Sequence, residues 1–423
     1  MQVLIIGNGV TGVTAALRLR EQQPDWNIAM ISGESQFHYS RPALMYIFMG
    51  HQTYQETKPY PDSLWAEKRI ELIRDWVTFI DAEKSEVRLK RSGTRSYDKL
   101  LICTGSKPNY FGWPGQDLGG VQGFYGLSDL TQLYENVKST KEAVIVGGGL
   151  IGIELGEMLH SAGIHVTFLV REARYWNNVL PDPESEMVMR LIRKAGFGLE
   201  LATNMTEIVD DGSGRCCAVK TDTDKTIGCQ FVGLTAGVTP RIELLKESGI
   251  KTERGILVDW SLRTNIENVF AAGDCAELQT QGAERNVIEQ VWYTGKYQGE
   301  VVADVIAGKE RRYEQGIWHN SAKFLDLEYQ VYGSVHRGEA GAQDLYWEAP
   351  DGEHSIRIVY VDGKVIGFNL MGIRYRHEVC EAWLREERSL AYVLEHLHQA
   401  NFDPEFFTRY ESDFTAYANK VLA

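Results

Sequence analysis

The sequence predicts an α/β chain: two Rossmann-like dinucleotide-binding domains, each of three layers (β/β/α), followed by a C-terminal α+β domain. Three observations predict it. A strand–turn–helix with GxGxxG spacing opens the chain at Val3-Leu-Ile-Ile-Gly-Asn-Gly-Val-Thr-Gly12. The same unit recurs at Ala143-Val-Ile-Val-Gly-Gly-Gly-Leu-Ile-Gly152, and duplication of a whole supersecondary unit reports domain organisation. Beyond residue 316 the pattern changes to short alternating strands followed by amphipathic segments.

In the first unit, residues 3–6 read as a buried strand. Gly7 allows a tight turn, Gly9 lets the backbone approach phosphates, and Gly12 lets helix and strand pack closely. The helix N-terminus adds free N–H groups and the positive end of its dipole. Glu34 follows a second apolar strand, Ile28–Ile31, where a carboxylate can accept both hydroxyls of a ribose. Next comes a polar-aromatic loop, Phe37-His-Tyr-Ser-Arg-Pro-Ala-Leu44. Arg41 precedes Pro42, which biases it away from helix; its planar guanidinium suits a phosphate or a flavin edge. Short strands are expected at Trp76–Asp81 and Glu86–Lys90, with a turn at Ser92-Gly93, and a further strand ends in Thr104-Gly105. Tyr110–Gly126, rich in Gly and Pro, reads as a linker.

The second unit repeats the spacing with Gly147, Gly149 and Gly152, a helix to about Ala162 and a strand at His165–Val170. A helix over 184–195 and short strands follow, and Phe231–Gly237 closes this part much as Leu100–Gly105 closed the first. After Gly273-Asp274 the pattern predicts a helix over 284–307 with Gly308 as its C-terminal glycine. In the tail, Leu327–Gly333, Ser355–Val361 and Val365–Met371 read as antiparallel strands with a hairpin at Asp362-Gly363. Helices are expected at His377–Arg385 and Ser389–Ala400. The cluster Arg374-Tyr-Arg-His377 is either a solvated loop or part of a docking surface.

Composition narrows the function. A net charge of −14 argues against nucleic acid, which needs a basic surface. There is no apolar run of 18 residues for a membrane span and no basic leader for a signal peptide. The six cysteines show no metal-ligand or CxxC spacing, so no metal site and a cytoplasmic location are expected. Vicinal Cys216 and Cys217 fit opposite faces of one strand.

Two fingerprints, two Thr-(Ala)-Gly strand ends and Gly273-Asp274, in this order, resemble the two-dinucleotide flavoproteins of the pyridine nucleotide–disulfide oxidoreductase superfamily. The resemblance is fullest over 1–315. It implies an FAD domain built from 1–112 and 236–315, an NAD(P) domain at 113–235 and an interface domain at 316–423. It implies that Gly7, Gly9 and Gly12 carry the FAD pyrophosphate, Glu34 the adenosine ribose and Val77 the adenine through its backbone. Arg41 and Pro42 would flank the cofactor, Thr104-Gly105 would close over it, and Gly237 marks the matching later strand end. Asp274, after Gly273, would bind the ribityl–phosphate end, and Trp292 would approach the isoalloxazine. Gly147, Gly149 and Gly152 would hold NADH or NADPH, with Glu154 positioning the nicotinamide carboxamide. Arg171, with Arg174 nearby, resembles NADPH-specific members, whereas Glu172, Gly152 and Gly156 fit NADH; the pattern leans slightly to NADH.

The branch follows from Tyr39-Ser-Arg-Pro-Ala-Leu44, which lacks cysteine and so excludes a thiol relay. It looks like the ferredoxin, rubredoxin and putidaredoxin reductases and the flavin domain of NADH-dependent nitrite reductases, although Met45-Tyr46 stands where Ser-Lys is common. The resemblance implies hydride transfer from NAD(P)H to FAD, then electrons to a small iron–sulfur or rubredoxin-type partner; a monomer or homodimer is expected. The alternatives are an NAD(P)H oxidase or small-molecule reductase, and a redox sensor resembling apoptosis-inducing factor.

Overall fold

A computed structural model of the chain describes residues 1–280, 287–335, 340–403 and 405–422. The chain folds into two compact units, residues 1–140 with 233–314 and residues 141–232 with 315–423.

In the first unit, β1 (Gln2–Ile6) leads into α1 (Val10–Gln22) and then β2 (Asn27–Ile31). β1 lies between β2 and the strand Lys99–Ile102; β3 (Ile70–Ile73) flanks β2, and Val269–Ala271 flanks Lys99–Ile102. All these pairings are parallel. Val3, Leu4, Ile5, Leu100, Leu101 and Ile102 are all buried, which is why these strands read as continuous apolar runs rather than alternating ones. The helix Trp292–Ile306 lies along α1 because it carries glycines at the contact. A Cβ on Gly295 would come within 2.9 Å of Thr11 Oγ1, and one on Gly299 within 2.7 Å of the Thr11 carbonyl oxygen.

Register positions the site. Ile6 pairs with Ile31 and Ile102, Ile31 with Ile73, and Ile102 with Ala271. Gly7, Ser32, Arg74, Cys103 and Ala272 therefore leave the same edge of the sheet. This carboxyl edge is where open α/β sheets bind ligands.

In the second unit, Glu142–Val146, His165–Leu169 and Gly198–Glu200 form parallel neighbours, with the helix Leu150–Ser161 following the first. The C-terminal part is a five-stranded antiparallel sheet in the order His319–Phe324, Leu327–Gly333, Lys364–Met371, Ser355–Val361, Gln343–Glu348. Asp362 and Gly363 both have positive φ, +48° and +77°, as a tight two-residue hairpin turn demands. Phe368, Leu370, Trp383 and Phe414 are among the residues of its core.

Packing draws the divisions differently from the three expected domains. The stretch expected as a linker, with the helix Leu127–Val137, belongs to the first unit, and the tail packs with the second fingerprint. The reason is polar as well as apolar. The Leu127 N–H donates to Glu34, and in the second unit buried Glu184 takes two hydrogen bonds from Arg357 (2.7 and 2.8 Å) and one from Asn369 (3.0 Å). The helix expected over 284–307 starts at Trp292, while 284–286 lie outside the described residues. It ends before Gly308, at φ +93°, as the C-terminal glycine required. The expected Ser389–Ala400 helix is α-helical only over Leu390–His396, then tightens to a 3-10 turn. Cys216 is buried and Cys217 half-buried, in keeping with opposite strand faces. Among the described residues no helix is long and apolar enough to cross a membrane, and no His, Cys, Asp and Glu cluster is placed to hold a metal ion.

Candidate functional site

The first glycine loop separates packing from binding. Gly7 adopts φ +109°, and its N–H donates to the Ile31 carbonyl at 2.8 Å. A Cβ on Gly7 would overlap the Cys103 carbonyl, and one on Gly12 the Gly7 carbonyl. Gly9 differs: among the described residues no atom lies within 4 Å of a Cβ placed there. It is the N-cap of α1, no side chain caps it, and the first turn holds no carboxylate. The first N–H groups of α1 are thus left to an anion, and a pyrophosphate fits.

Gly273-Asp274 reaches this loop through Thr11, whose Oγ1 lies 2.5 Å from a Cβ on Gly273. The Gly273 N–H donates to Gln298 Oε1 (2.7 Å), Gln298 Nε2 donates to Glu289 Oε2 (3.2 Å), and that oxygen also accepts the Tyr313 hydroxyl (2.6 Å). The other strand ends are stitched as well. Thr104 Oγ1 donates to the Arg241 carbonyl (2.7 Å), the Arg241 N–H to the Gly105 carbonyl (2.9 Å), and the Asn109 N–H to the Gly237 carbonyl (3.1 Å). Val77 opens the strand Val77–Asp81 and pairs with Leu89. Pro42 is exposed in the turn Arg41–Ala43, and Trp292 is the first residue of its helix, edge-on to Tyr293.

Glu34 stands where expected, past the end of β2, but it is already engaged. Its Oε1 accepts from the Tyr39 hydroxyl (2.7 Å), Arg41 Nη1 (3.1 Å) and the Leu127 N–H (2.9 Å); Oε2 accepts from Arg41 Nη2 (2.7 Å). A carboxylate offers about four lone-pair sites; three donors converge on Oε1, whereas Oε2 accepts from Arg41 Nη2 alone. Burial alone would raise this carboxyl; the Arg41 charge and the hydrogen bonds from Arg41, Tyr39 and Leu127 hold it down at about 2. Arg41 Nη1 also donates to the Tyr125 carbonyl (2.8 Å).

The second loop repeats the design. Gly147 adopts φ +132°, and its N–H donates to the Leu169 carbonyl (3.0 Å). Gly149 caps the helix Leu150–Ser161, again with no side-chain cap and, among the described residues, no atom within 4 Å of a Cβ. Gly152 is buried on that helix. Glu154 is half-buried on it, and burial, with the Glu157 charge second, pushes its carboxyl up to about 8. Arg171 Nη2 and Glu172 Oε1 pair at 2.7 Å just past the next strand, and Arg174 Nε meets Glu186 Oε1 at 2.9 Å. Both arginines that suggested NADPH therefore already face carboxylates.

Residues 1–299 match the family model described as pyridine nucleotide-disulphide oxidoreductase. The chain belongs to this family. It is 28% identical to the rubredoxin-NAD(+) reductase of Acinetobacter baylyi, over 65% of this chain and 72% of that protein. It is also 28% identical to the ferredoxin–NAD(+) reductase subunit of the benzene 1,2-dioxygenase system of Pseudomonas putida, over 73% and 75%. Among solved structures it is similar to the ferredoxin reductase for the CYP199A2 system of Rhodopseudomonas palustris: TM-score 0.79, 25% identity, 88% of this chain and 91% of that one. An NAD-dependent persulfide reductase from A. fulgidus shares the fold, with a TM-score of 0.86, 21% identity, and 100% and 83% covered. The protein is accordingly an oxidoreductase that uses FAD and a nicotinamide nucleotide.

Within this family member, several site residues carried no sequence signal. Tyr125, in the expected linker, donates its hydroxyl to Asp274 Oδ2 (3.1 Å) and accepts the Ser106 N–H (3.0 Å). Burial raises Asp274, while the hydrogen bonds from Tyr125 and Ser106 oppose the rise. Tyr175, buried, donates to the Gly149 carbonyl (3.0 Å) and so braces the second loop. Asp75, also buried, accepts the N–H groups of Trp76, Arg91 and Ser92 and the Ser92 hydroxyl, at 2.8–3.0 Å. A spacing pattern could not have found them, because each has a partner far along the chain.

Proposed function

We propose that the protein passes electrons from a nicotinamide nucleotide, through FAD, to a small iron–sulfur or rubredoxin-type protein without a thiol relay. The observation that carries this is the stretch Tyr39–Leu44. No cysteine stands there, and its Tyr39 and Arg41 are committed to Glu34. Relatives named as rubredoxin and ferredoxin reductases support the same acceptor class.

Bound FAD supplies the step from a two-electron hydride to single electrons; the chain's own residues bind, orient and exclude water. The first turn of α1, with Gly7, Gly9 and Gly12 behind it, holds the FAD pyrophosphate. Asp274 takes a hydroxyl of the ribityl side and is held in place by Tyr125. Glu34 takes one adenosine ribose hydroxyl, and Val77 meets the adenine edge. Arg41, Pro42, Thr104, Gly105, Gly237, Gly273 and Trp292 border the cofactor. Gly147, Gly149 and Gly152 hold the nicotinamide nucleotide. We read that nucleotide as NADH, with Glu172 on its ribose and Arg171 kept on Glu172. Glu154, largely protonated at neutral pH, donates to the nicotinamide carboxamide and orients it. By task the chain has three parts, 1–112 with 236–315 for FAD, 113–235 for the nicotinamide and 316–423 as an interface. Its six free cysteines suit the cytoplasm.

The deciding assay is NADH-driven cytochrome c reduction with and without added ferredoxin or rubredoxin. Turnover that depends on the added carrier supports the reading. Turnover no faster than with dioxygen or ferricyanide alone sinks it and favours an oxidase.

A further inference from the structure

Trp76 lies three residues past β3, on the carboxyl edge of the first sheet, and is 46% exposed. Its indole packs face-on against the backbone at Gly33, past the end of β2: a Cβ on Gly33 would overlap three ring carbons. Large side chains left half in water at the ligand edge of such a sheet invite a flat partner.

The backbone that carries the indole is also held. Asp75 Oδ1 accepts the Trp76 N–H (2.8 Å), and the Trp76 carbonyl accepts the Lys90 N–H (2.9 Å). Arg74 Nη2 donates to the Glu34 carbonyl (2.7 Å), pinning the backbone that follows Gly33. Three hydrogen bonds thus restrain the backbone on both sides of the contact, with one face of the ring against Gly33.

We propose that Trp76 is the stacking platform for the adenine of FAD, and that Gly33 is glycine so that the indole can lie flat there. The inference rests on the FAD reading of the first fingerprint. With the pyrophosphate at α1, beside the end of β1, the adenosine crosses β2 towards β3. Neighbouring strands are about 4.8 Å apart, so the base comes over Gly33 and Trp76 once the ribose has passed Glu34. Val77, the next residue, then meets the edge of the base whose face Trp76 covers.

The test compares FAD with FMN, which has the flavin and a phosphate but no adenine. The full-length protein is stripped of flavin, and both dissociation constants are measured by titration, with circular dichroism melts as a check on folding. Trp76→Ala and Gly33→Ala, which displaces the indole without removing it, should each weaken FAD by about tenfold or more. Both should leave FMN binding unchanged, and Trp76→Phe should recover most of the FAD affinity. Should Gly33→Ala fail to fold, the two Trp76 variants decide. FAD affinity unchanged in Trp76→Ala overturns the platform, as does an equal loss of FAD and FMN. If the wild-type protein binds no FAD, the reading of the first fingerprint falls and the platform falls with it.

Discussion

Gly9 and Gly12 sit three residues apart, yet a methyl group added to each meets opposite surroundings. On Gly12 it meets the Gly7 carbonyl; on Gly9 it meets no atom of the described residues. Gly12→Ala should cost about 1–3 kcal/mol of stability, as overpacking does, measured by urea denaturation. Gly9→Ala should melt like the wild type and bind FAD more weakly, because the methyl enters the anion cradle. These roles were legible in the sequence because glycine spacing encodes them. The engagement of Glu34 was less legible: Tyr39 and Arg41 lie five and seven residues on in an irregular loop, and Leu127 lies in another part of the chain. Glu154 was legible as a position but not as a protonation state, since its carboxyl reaches about 8 through burial. The KM for NADH should rise as pH passes about 8 in the wild type. In Glu154→Gln, which keeps an N–H donor, that KM should stay flat; a wild-type slope retained in the variant would remove Glu154 from this role.

Among the elements, the helix Asp182–Lys194 shows how one buried charge joins two sheets of a unit. Glu184 has no exposed surface and holds Arg357 on the strand Ser355–Val361, which also carries the Arg357–Asp344 pair. Glu184→Ala leaves a nearly buried guanidinium short of its main partner and should cost about 3–5 kcal/mol, read from the unfolding of the purified protein. The parallel strands and the glycine loops were readable because fully buried strands need unbroken apolar runs. In the tail, three strands and two helices were readable, but His319–Phe324, Gln343–Glu348 and Glu411–Leu422 were not. The first two are flanking strands with polar faces, and the last is a terminal helix with only Glu411, Phe414 and Ala418 buried. An element with only one to three buried side chains leaves little periodicity to detect. Glu184, one of the residues that tie the tail to the second fingerprint, looks in sequence like any helix-surface glutamate.

At the scale of the molecule, the perturbed carboxyls give stability a shape in pH. Glu34 and Asp75 are held at about 2 in the fold, against ordinary values of 4.5 and 3.8. The unfolded chain binds more protons in that interval, so their stabilisation is full above it and is lost as pH falls through about 2. Glu154 works in the other direction. Its folded value of about 8 lies above 4.5, so its contribution is full below 4.5 and is lost as pH rises through about 8. Thermal melts should therefore weaken on both sides, and Glu154→Gln should flatten the alkaline side alone. Saturating FAD should raise the melting temperature further, by mass action. An identical melting curve with and without FAD would argue against the first loop as its site.

The state of the cysteines has a practical consequence for the cell. Five of the six thiols are buried, Cys217 is half-buried, and none lies in Tyr39–Leu44. Cys103, beside the first glycine loop, is held well above the ordinary thiol range by burial, with the Cys275 charge second, so it is not a nucleophile at neutral pH. Alkylating reagents and peroxide, which poison a catalytic thiolate, should find no such thiolate beside the first glycine loop. Electron flow should continue through oxidative stress at a rate set by the supply of reduced nicotinamide and of its carrier protein.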